Sequence, residues 1–236
     1  MTFHPLGDSA ILLKFDQKID PDINQKVVSV VNSLTSNPIK GVTGWIPAYC
    51  SLMVSYDPMV IHYDQLESQL EEMSSAPSGP AKAPREFNIP VCYGGEFGVD
   101  LEEVSKETSL SIKEIIDIHT STQFRVYMLG FIPGFVYMGS IPPELNCSRK
   151  TTPRLKVPSR SVGLAGQQTG IYPTEAPGGW QIIGRTPVNI IDLSQTNPFL
   201  FEAGDSIRFN SIDQDEYKRM RVDAKEGVIN WDLLNA

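Results

Sequence analysis

The sequence is poor in the residue types that announce the commonest chemistries. Its three cysteines, Cys50, Cys92 and Cys147, are far apart and odd in number, which fits neither a disulfide framework nor a CxxC metal clip. The three histidines, His4, His62 and His119, are equally scattered, and HExxH, GxSxG and paired metal-ligand spacings do not occur, so no protein metal site is expected. The Walker pattern GxxxxGK[ST] is missing, and VGLAGQQTG (162–170) spaces its glycines as GxxGxxxG instead of GxGxxG. Any nucleotide site must therefore be of another design. No apolar run approaches the roughly 18 residues of a membrane span, and MTFHPLGDSA lacks the basic-then-apolar layout of a signal peptide, so the expected location is the cytoplasm. Positive charge is also in deficit. Twenty Lys and Arg face 28 Asp and Glu, a formal charge of −8 that disfavours nucleic acid and anionic membrane surfaces as partners.

What is present reads as a soluble globular chain of 236 residues, long enough for one large or two small domains. Ser9 to Phe15 has strand length; Asp20-Pro21 then reads as an N-cap with proline at the first helical position, followed by Ile23, Val27, Val30, Val31 and Leu34 at helical spacing. Gly41 to Ile46 and Ser51 to Tyr56 are expected strands, and Leu66, Leu70 and Met73 mark a second helix. SSAPSGPAKAP (74–84) has the composition of a linker, and Phe87 to Tyr93 resumes as a strand. The order strand, helix, strand, strand, helix, strand is that of a ferredoxin-like sandwich, with the membership of 87–93 left open. Asp100 and Ser111 read as caps of two short helices, the second with a capping box to Glu114 and His119 at its end. Beyond Phe124, short β-type runs (Phe124 to Leu129, Trp180 to Ile183, Val188 to Ile191, Ile207 to Phe209) between Gly and Pro imply a β-rich second domain, with Asp213 to Met220 as a late helix. The expected class is α+β, divided into 1–84 and 85–236.

Nine of the 18 glycines lie between Gly130 and Gly184, and eight of the 18 prolines between Pro133 and Pro187. Such a stretch reads either as shaped loops presenting backbone amides to a ligand or as tight barrel turns. The same region collects cations. Arg149, Lys150, Arg154, Lys156, Arg160 and Arg185 face Glu175 alone, giving +5 over 145–185 against −13 for the rest. The expected partner is a small anionic substrate or a nucleotide phosphate; the alternative is a solvated basic face. Lys150, beside Thr151 and Thr152, is expected to matter little. For His119 a packed or capping role ranks ahead of a functional one.

MLGFIPGFVYMG (128–139), TPRLKVPSRSVGLAGQQTGIYP (152–173) and PGGWQIIGRTP (177–187), together with GDSAILLKF (7–15) and IPAYCSLMVSYDP (46–58), closely resemble the allophanate hydrolase subunit 1 family. Its members are also described as the B subunit of ATP-dependent 5-oxoprolinase and as Kip-type inhibitors of sensor histidine kinases. One departure is visible: Val136 and Met138 stand in GFVYMG where the family pattern is GFPYLG. The resemblance implies a ferredoxin-like α/β amino-terminal domain followed by a cyclophilin-like β-barrel. It also implies ATP as cosubstrate, a homologous C-type partner subunit and a lactam-utilising third subunit.

On that reading, activation of a lactam carbonyl by phosphorylation requires groups that neutralise phosphate and orient substrate. Arg154, Arg160 and Arg185 are the candidate clamps. The surroundings of Gly163, Gly166 and Gly170, with Gln168 and Thr169, are candidate neutral donors, Tyr172 and Trp180 a candidate apolar wall, and His119 a candidate base. Because only Glu175 lies in the basic stretch, Mg²⁺ ligands are expected from the partner. The other readings are a regulatory protein acting on a histidine kinase without chemistry of its own, and an allophanate hydrolase or carboxyltransferase-like subunit.

Overall fold

The computed structural model describes residues 1–75 and 83–225, in two compact units, Met1–Ala83 and Pro84–Ala236. In the first unit, Thr2–Pro5 (β1) and Ala10–Lys14 (β2) form an antiparallel pair. Helix Pro21–Ser36 (α1) begins at the expected cap, where the Asp20 carboxylate accepts from the amides of Asp22 (2.8 Å) and Ile23 (3.1 Å). Val42–Pro47 (β3), Ser51–Tyr56 (β4) and helix Tyr63–Ser75 (α2) follow. The helical stripe Val27, Val30, Leu34, Leu66 and Leu70 packs onto the alternate strand residues Ile11, Leu13, Leu52 and Val54.

The sheet order is β1-β2-β4-β3. The run β2-α1-β3-β4-α2 keeps the ferredoxin-like connection, but the place beside β2 is taken by β1 from the amino terminus. The strand 86–93 belongs elsewhere. Only four residues long and exposed at three of them, β1 has no alternation to betray it. The expected linker 74–84 is helical at its first two residues, while 76–82 lie outside the described residues.

The second unit contains strands Glu86–Tyr93 (β5), Gln123–Leu129 (β6), Val136–Gly139 (β7), Arg154–Val157 (β8), Ser161–Ala165 (β9), Gln168–Ile171 (β10), Ala176–Gly178 (β11), Gln181–Arg185 (β12) and Ser206–Ser211 (β13). Helices Leu101–Thr108 (α3), Ile112–Ser121 (α4) and Gln214–Lys225 (α5) accompany them. Seven strands close a barrel in the order β10-β7-β6-β13-β5-β12-β9, and β8 with β11 forms a separate ribbon. Closure leaves the barrel no unpaired edge. Its interior is filled by Val91, Phe124, Val126, Leu164, Ile183 and Phe209 among others.

Three expectations are corrected here. Much of the Gly/Pro-rich region is strand, β8 to β12, and Val188 to Ile191 is not a strand, with only Ile191 bridging to Phe199. Asp100 precedes α3 but makes no side-chain cap, its carboxylate being engaged elsewhere, whereas Ser111 and Glu114 do form the capping box. Gly170 and Gly184 stand inside strands because backbones approach too closely for a side chain. A Cβ at Gly184 would lie 2.6 Å from Val91 Cγ1 and 2.9 Å from the Cys92 carbonyl oxygen, and one at Gly170 would lie 2.7 Å from the Val136 carbonyl oxygen. Gly184→Ala should therefore lower the stability of the second unit by about 2 kcal/mol in urea unfolding. Gly44→Ala, where a Cβ meets nothing within 4 Å, should change stability much less.

Candidate functional site

The turn leading into β7 carries Phe135, and β7 itself carries Tyr137; Tyr172 leaves β10 and Trp180 enters β12. Phe135 sits at the centre of these rings, 4.6 Å from Tyr137, 4.8 Å from Tyr172 and 5.4 Å from Trp180, mostly edge to face. They line a groove of about 380 Å³, within the size range of small-ligand sites. Phe131, 60% exposed with φ of +66°, lines the same groove. Burial pushes the Tyr172 phenol up to about 12, so it is protonated throughout the neutral range.

Further lining comes from 149–153, which contributes Arg149, Lys150 and Pro153. This segment is tied down by Asp100, only 2% exposed. Arg154 donates to both Asp100 oxygens (2.8 and 2.5 Å), Lys150 Nζ donates to one (3.1 Å), and the Ile182 amide to the other (2.7 Å). Burial opposes ionisation of Asp100 but is outweighed by Arg154, the Ile182 amide and Lys150, which hold the carboxyl below its ordinary value. Lys150 also reaches Glu103 at 2.7 Å, the main reason its ammonium is held above the ordinary lysine value. Two carboxylates thus offset the charges of Lys150 and Arg154. Arg149 is exposed and has no carboxylate partner among the described residues, so it is the uncompensated cation of the groove.

Of the residues singled out in the sequence, Tyr172 and Trp180 line this groove, while Arg154 stands behind it on Asp100. The others lie apart. His119 is fully buried, with its ring nitrogens 2.8 Å from Tyr93 Oη and 3.0 Å from Thr169 Oγ1. Thr169 donates to the Gly163 carbonyl (3.2 Å), so its oxygen accepts the proton from His119 Nε2, and Nδ1 accepts from the Tyr93 hydroxyl. Burial pulls His119 down to about 3. This is a neutral packed histidine, stacked on Phe209 at 4.5 Å. Gly166, at φ of +57°, turns β9 into β10, and Gln168 and Gly170 belong to β10. Arg160 and Arg185 do not line the groove. Lys150, expected to be inert, does line it.

Arg149, Phe135, Tyr137 and Asp100 were not read from the sequence as site residues. The aromatic density of FIPGFVY was the available signal for two of them. Nothing local announces Asp100, whose partners are 50 to 82 residues away. Among the described residues no group of three or more His, Cys, Asp or Glu side chains is disposed to hold a metal ion, and no helix is long and apolar enough to cross a membrane.

The chain is 40% identical to the 5-oxoprolinase B subunit of Bacillus subtilis, covering 90% of this chain and 93% of the relative. It is 35% identical to the 5-oxoprolinase B subunit of Escherichia coli O157:H7, over 86% and 93%. Among solved structures, the crystal structure of TTHA0988 superposes with a TM-score of 0.78 at 35% identity, covering 86% of this chain and 40% of that longer one. Residues 1–201 match the model of the carboxyltransferase domain, subdomain C and D. With that match spanning most of its length, the chain belongs to the carboxyltransferase subdomain C and D family.

Proposed function

We propose that this chain is the B subunit of an ATP-dependent 5-oxoprolinase and that the aromatic groove holds the lactam. The observation that carries the site assignment is the uncompensated Arg149 on a groove walled by Phe135, Tyr137, Tyr172 and Trp180. The function rests on relatives of that name at 35% and 40% identity over most of both chains. The lactam ring is nearly flat, with three apolar ring carbons, one amide and one carboxylate; aromatic edges suit the ring carbons and a guanidinium suits the carboxylate.

The chain's own residues bind and orient. Arg149 holds the carboxylate, Lys150, paired with Asp100 and Glu103, fixes the lining segment beside it, and the protonated Tyr172 hydroxyl keeps the wall neutral. ATP supplies the phosphoryl group that turns a resonance-stabilised amide into a better electrophile. The C-type partner supplies the carboxylates for Mg²⁺, a third lactam-utilising subunit completes the assembly, and the complex works in the cytoplasm. Leu155, 89% exposed on the strand that follows Pro153, and Phe131 provide apolar surface suited to being covered by the partner.

Arg149→Ala, assayed in the assembled enzyme, should raise the KM for 5-oxoproline by roughly tenfold or more, as expected for loss of a charged hydrogen bond. Its melting temperature should be unchanged, because the side chain is exposed and has no carboxylate partner among the described residues. An unaltered KM would remove the groove from consideration as the lactam site. The isolated chain should show no lactam-stimulated ATP hydrolysis until the partner is added.

A further inference from the structure

The cations of 145–185 separate on folding. Arg149, Lys150 and Arg154 gather at the groove and its Asp100 anchor, whereas Arg160 lies within charge range of a third arginine, Arg221 of α5, and Arg185 lies over Phe97, the ring on which Tyr217 of the same helix packs. Ser161 and Arg185 are register partners on β9 and β12, so their side chains share one face of the sheet. Arg160 immediately precedes Ser161 and holds φ at +66°. Two backbone bonds pin it there, from its amide to the Tyr172 carbonyl (2.6 Å) and from the Thr186 amide to its carbonyl (3.0 Å). Arg221 Nη1 donates to the Pro187 carbonyl (2.8 Å) and to Asn189 Oδ1 (3.0 Å), just past Arg185 in the chain. One turn before Arg221, Tyr217 packs on Phe97 at 4.5 Å, and the Arg185 guanidinium lies 5.6 Å from the centre of the same Phe97 ring. Burial, and then the charge of Arg160, hold Arg221 below the ordinary arginine value.

These groups are under-satisfied. Among the described residues none of the three arginines has a carboxylate partner, and the Arg185 contact to the Glu96 carbonyl is long at 3.4 Å. The Nε atoms of Arg160 and Arg185 and the hydroxyl of Ser161 are buried without partners, and Ser161 is 0% exposed. A buried donor left unmade is destabilising, and the charges of Arg160 and Arg221 repel one another besides. One ligand with several acceptor oxygens and more than one negative charge, seated on the partly exposed guanidinium groups, would offset their uncompensated charge.

We infer that Arg160, Ser161, Arg185 and Arg221 form a phosphate-binding site distinct from the aromatic groove. A carboxylate brings two oxygens and one charge. A phosphoryl group brings three oxygens and nearly two charges at neutral pH, the better match to three guanidinium forks and a hydroxyl. The group is either inorganic or the end of a nucleotide's polyphosphate; the chemistry at these four residues is the same.

Calorimetric titration of the full chain alone, at low ionic strength, separates the sources with inorganic triphosphate, ATP and adenosine as probes. Saturable binding of both phosphates with none of adenosine is expected. Equal affinities identify the phosphates as the whole ligand, and tighter ATP identifies a nucleotide whose base adds contacts. Arg185→Gln and Arg221→Gln should each weaken triphosphate binding roughly tenfold or more. Arg208→Gln, the same loss of charge from an exposed position on β13, should leave it unchanged. Because Arg221 also holds the 187–189 backbone, Ser161→Ala is the decisive variant: removing an orphaned hydroxyl should not lower the ligand-free melting temperature, yet should weaken binding. Absence of saturable triphosphate binding, or full binding in the Arg185, Arg221 and Ser161 variants, would overturn the site. Neither lactam nor partner enters this experiment, so its failure is separable from any failure of the groove as the lactam site.

Discussion

Asp100→Ala should destabilise the second unit by about 3–5 kcal/mol, the cost of breaking a buried ion pair by removing one partner. The carboxylate is 2% exposed and accepts from Arg154, Lys150 and the Ile182 amide, so its loss strands one guanidinium, weakens the hold on one ammonium and leaves a buried amide unpaired. Chemical denaturation at pH 7 measures it; a loss below about 1 kcal/mol would show that Asp100 is not the anchor. Arg154→Ala should be destabilising through the same pair. The contribution of Arg154 to the groove is therefore indirect, made through Asp100, and a fall in activity in its variant should track melting temperature. Lys150→Ala should keep the Asp100–Arg154 fork and lose less stability, while removing a cation from the groove lining. The expected ranking of the two residues is the reverse of the one read from the sequence.

That reversal shows where sequence is legible. Local devices read true: the Asp20-Pro21 helix start, the Ser111–Glu114 capping box and the strand Ser51–Tyr56 each depend on residues within a few positions of one another. The aromatic wall was half visible, in Tyr172 and Trp180, because large aromatics embedded in a Gly/Pro-rich stretch stand out. Strands β9 and β10 were not visible as strands. Gly163 and Gly170 occupy positions where an apolar side chain would have marked the period of two, and both are glycine because neighbouring atoms leave little room for a Cβ. Long-range charge pairing was hidden altogether. The basic stretch counts Glu175 as its one carboxylate in sequence, yet folding brings Asp100 and Glu103 to Lys150. Linear clustering of cations was real but not a single site, since β8, β9 and β12 distribute them between two places on the barrel unit.

His119 yields the other large effect, through pH. In the folded state the ring is neutral, its Nε2 proton given to Thr169 and its Nδ1 accepting from Tyr93, and its pKa falls to about 3 against an ordinary 6.5 because burial excludes the charged form. The unfolded chain therefore binds an extra proton between those values, and stability rises with pH across the window. The full contribution is present above pH 6.5 and is lost progressively as pH falls toward 3. Between pH 7 and pH 4.5 the loss from this residue alone is about 3 kcal/mol. Tyr93, the titratable side chain that hydrogen-bonds to it, is held protonated by burial and does not titrate in this range. His119→Gln cannot take up the proton. It should unfold more easily than the parent chain at pH 7, where the packed imidazole is lost, but its stability should fall by about 3 kcal/mol less on acidification to pH 4.5. Urea midpoints of both proteins at the two pH values measure the difference, and carboxylate titrations common to both cancel in it. Parallel pH dependences would mean that His119 is charged or water-accessible in the folded barrel, and would return it to consideration as a proton-transfer group.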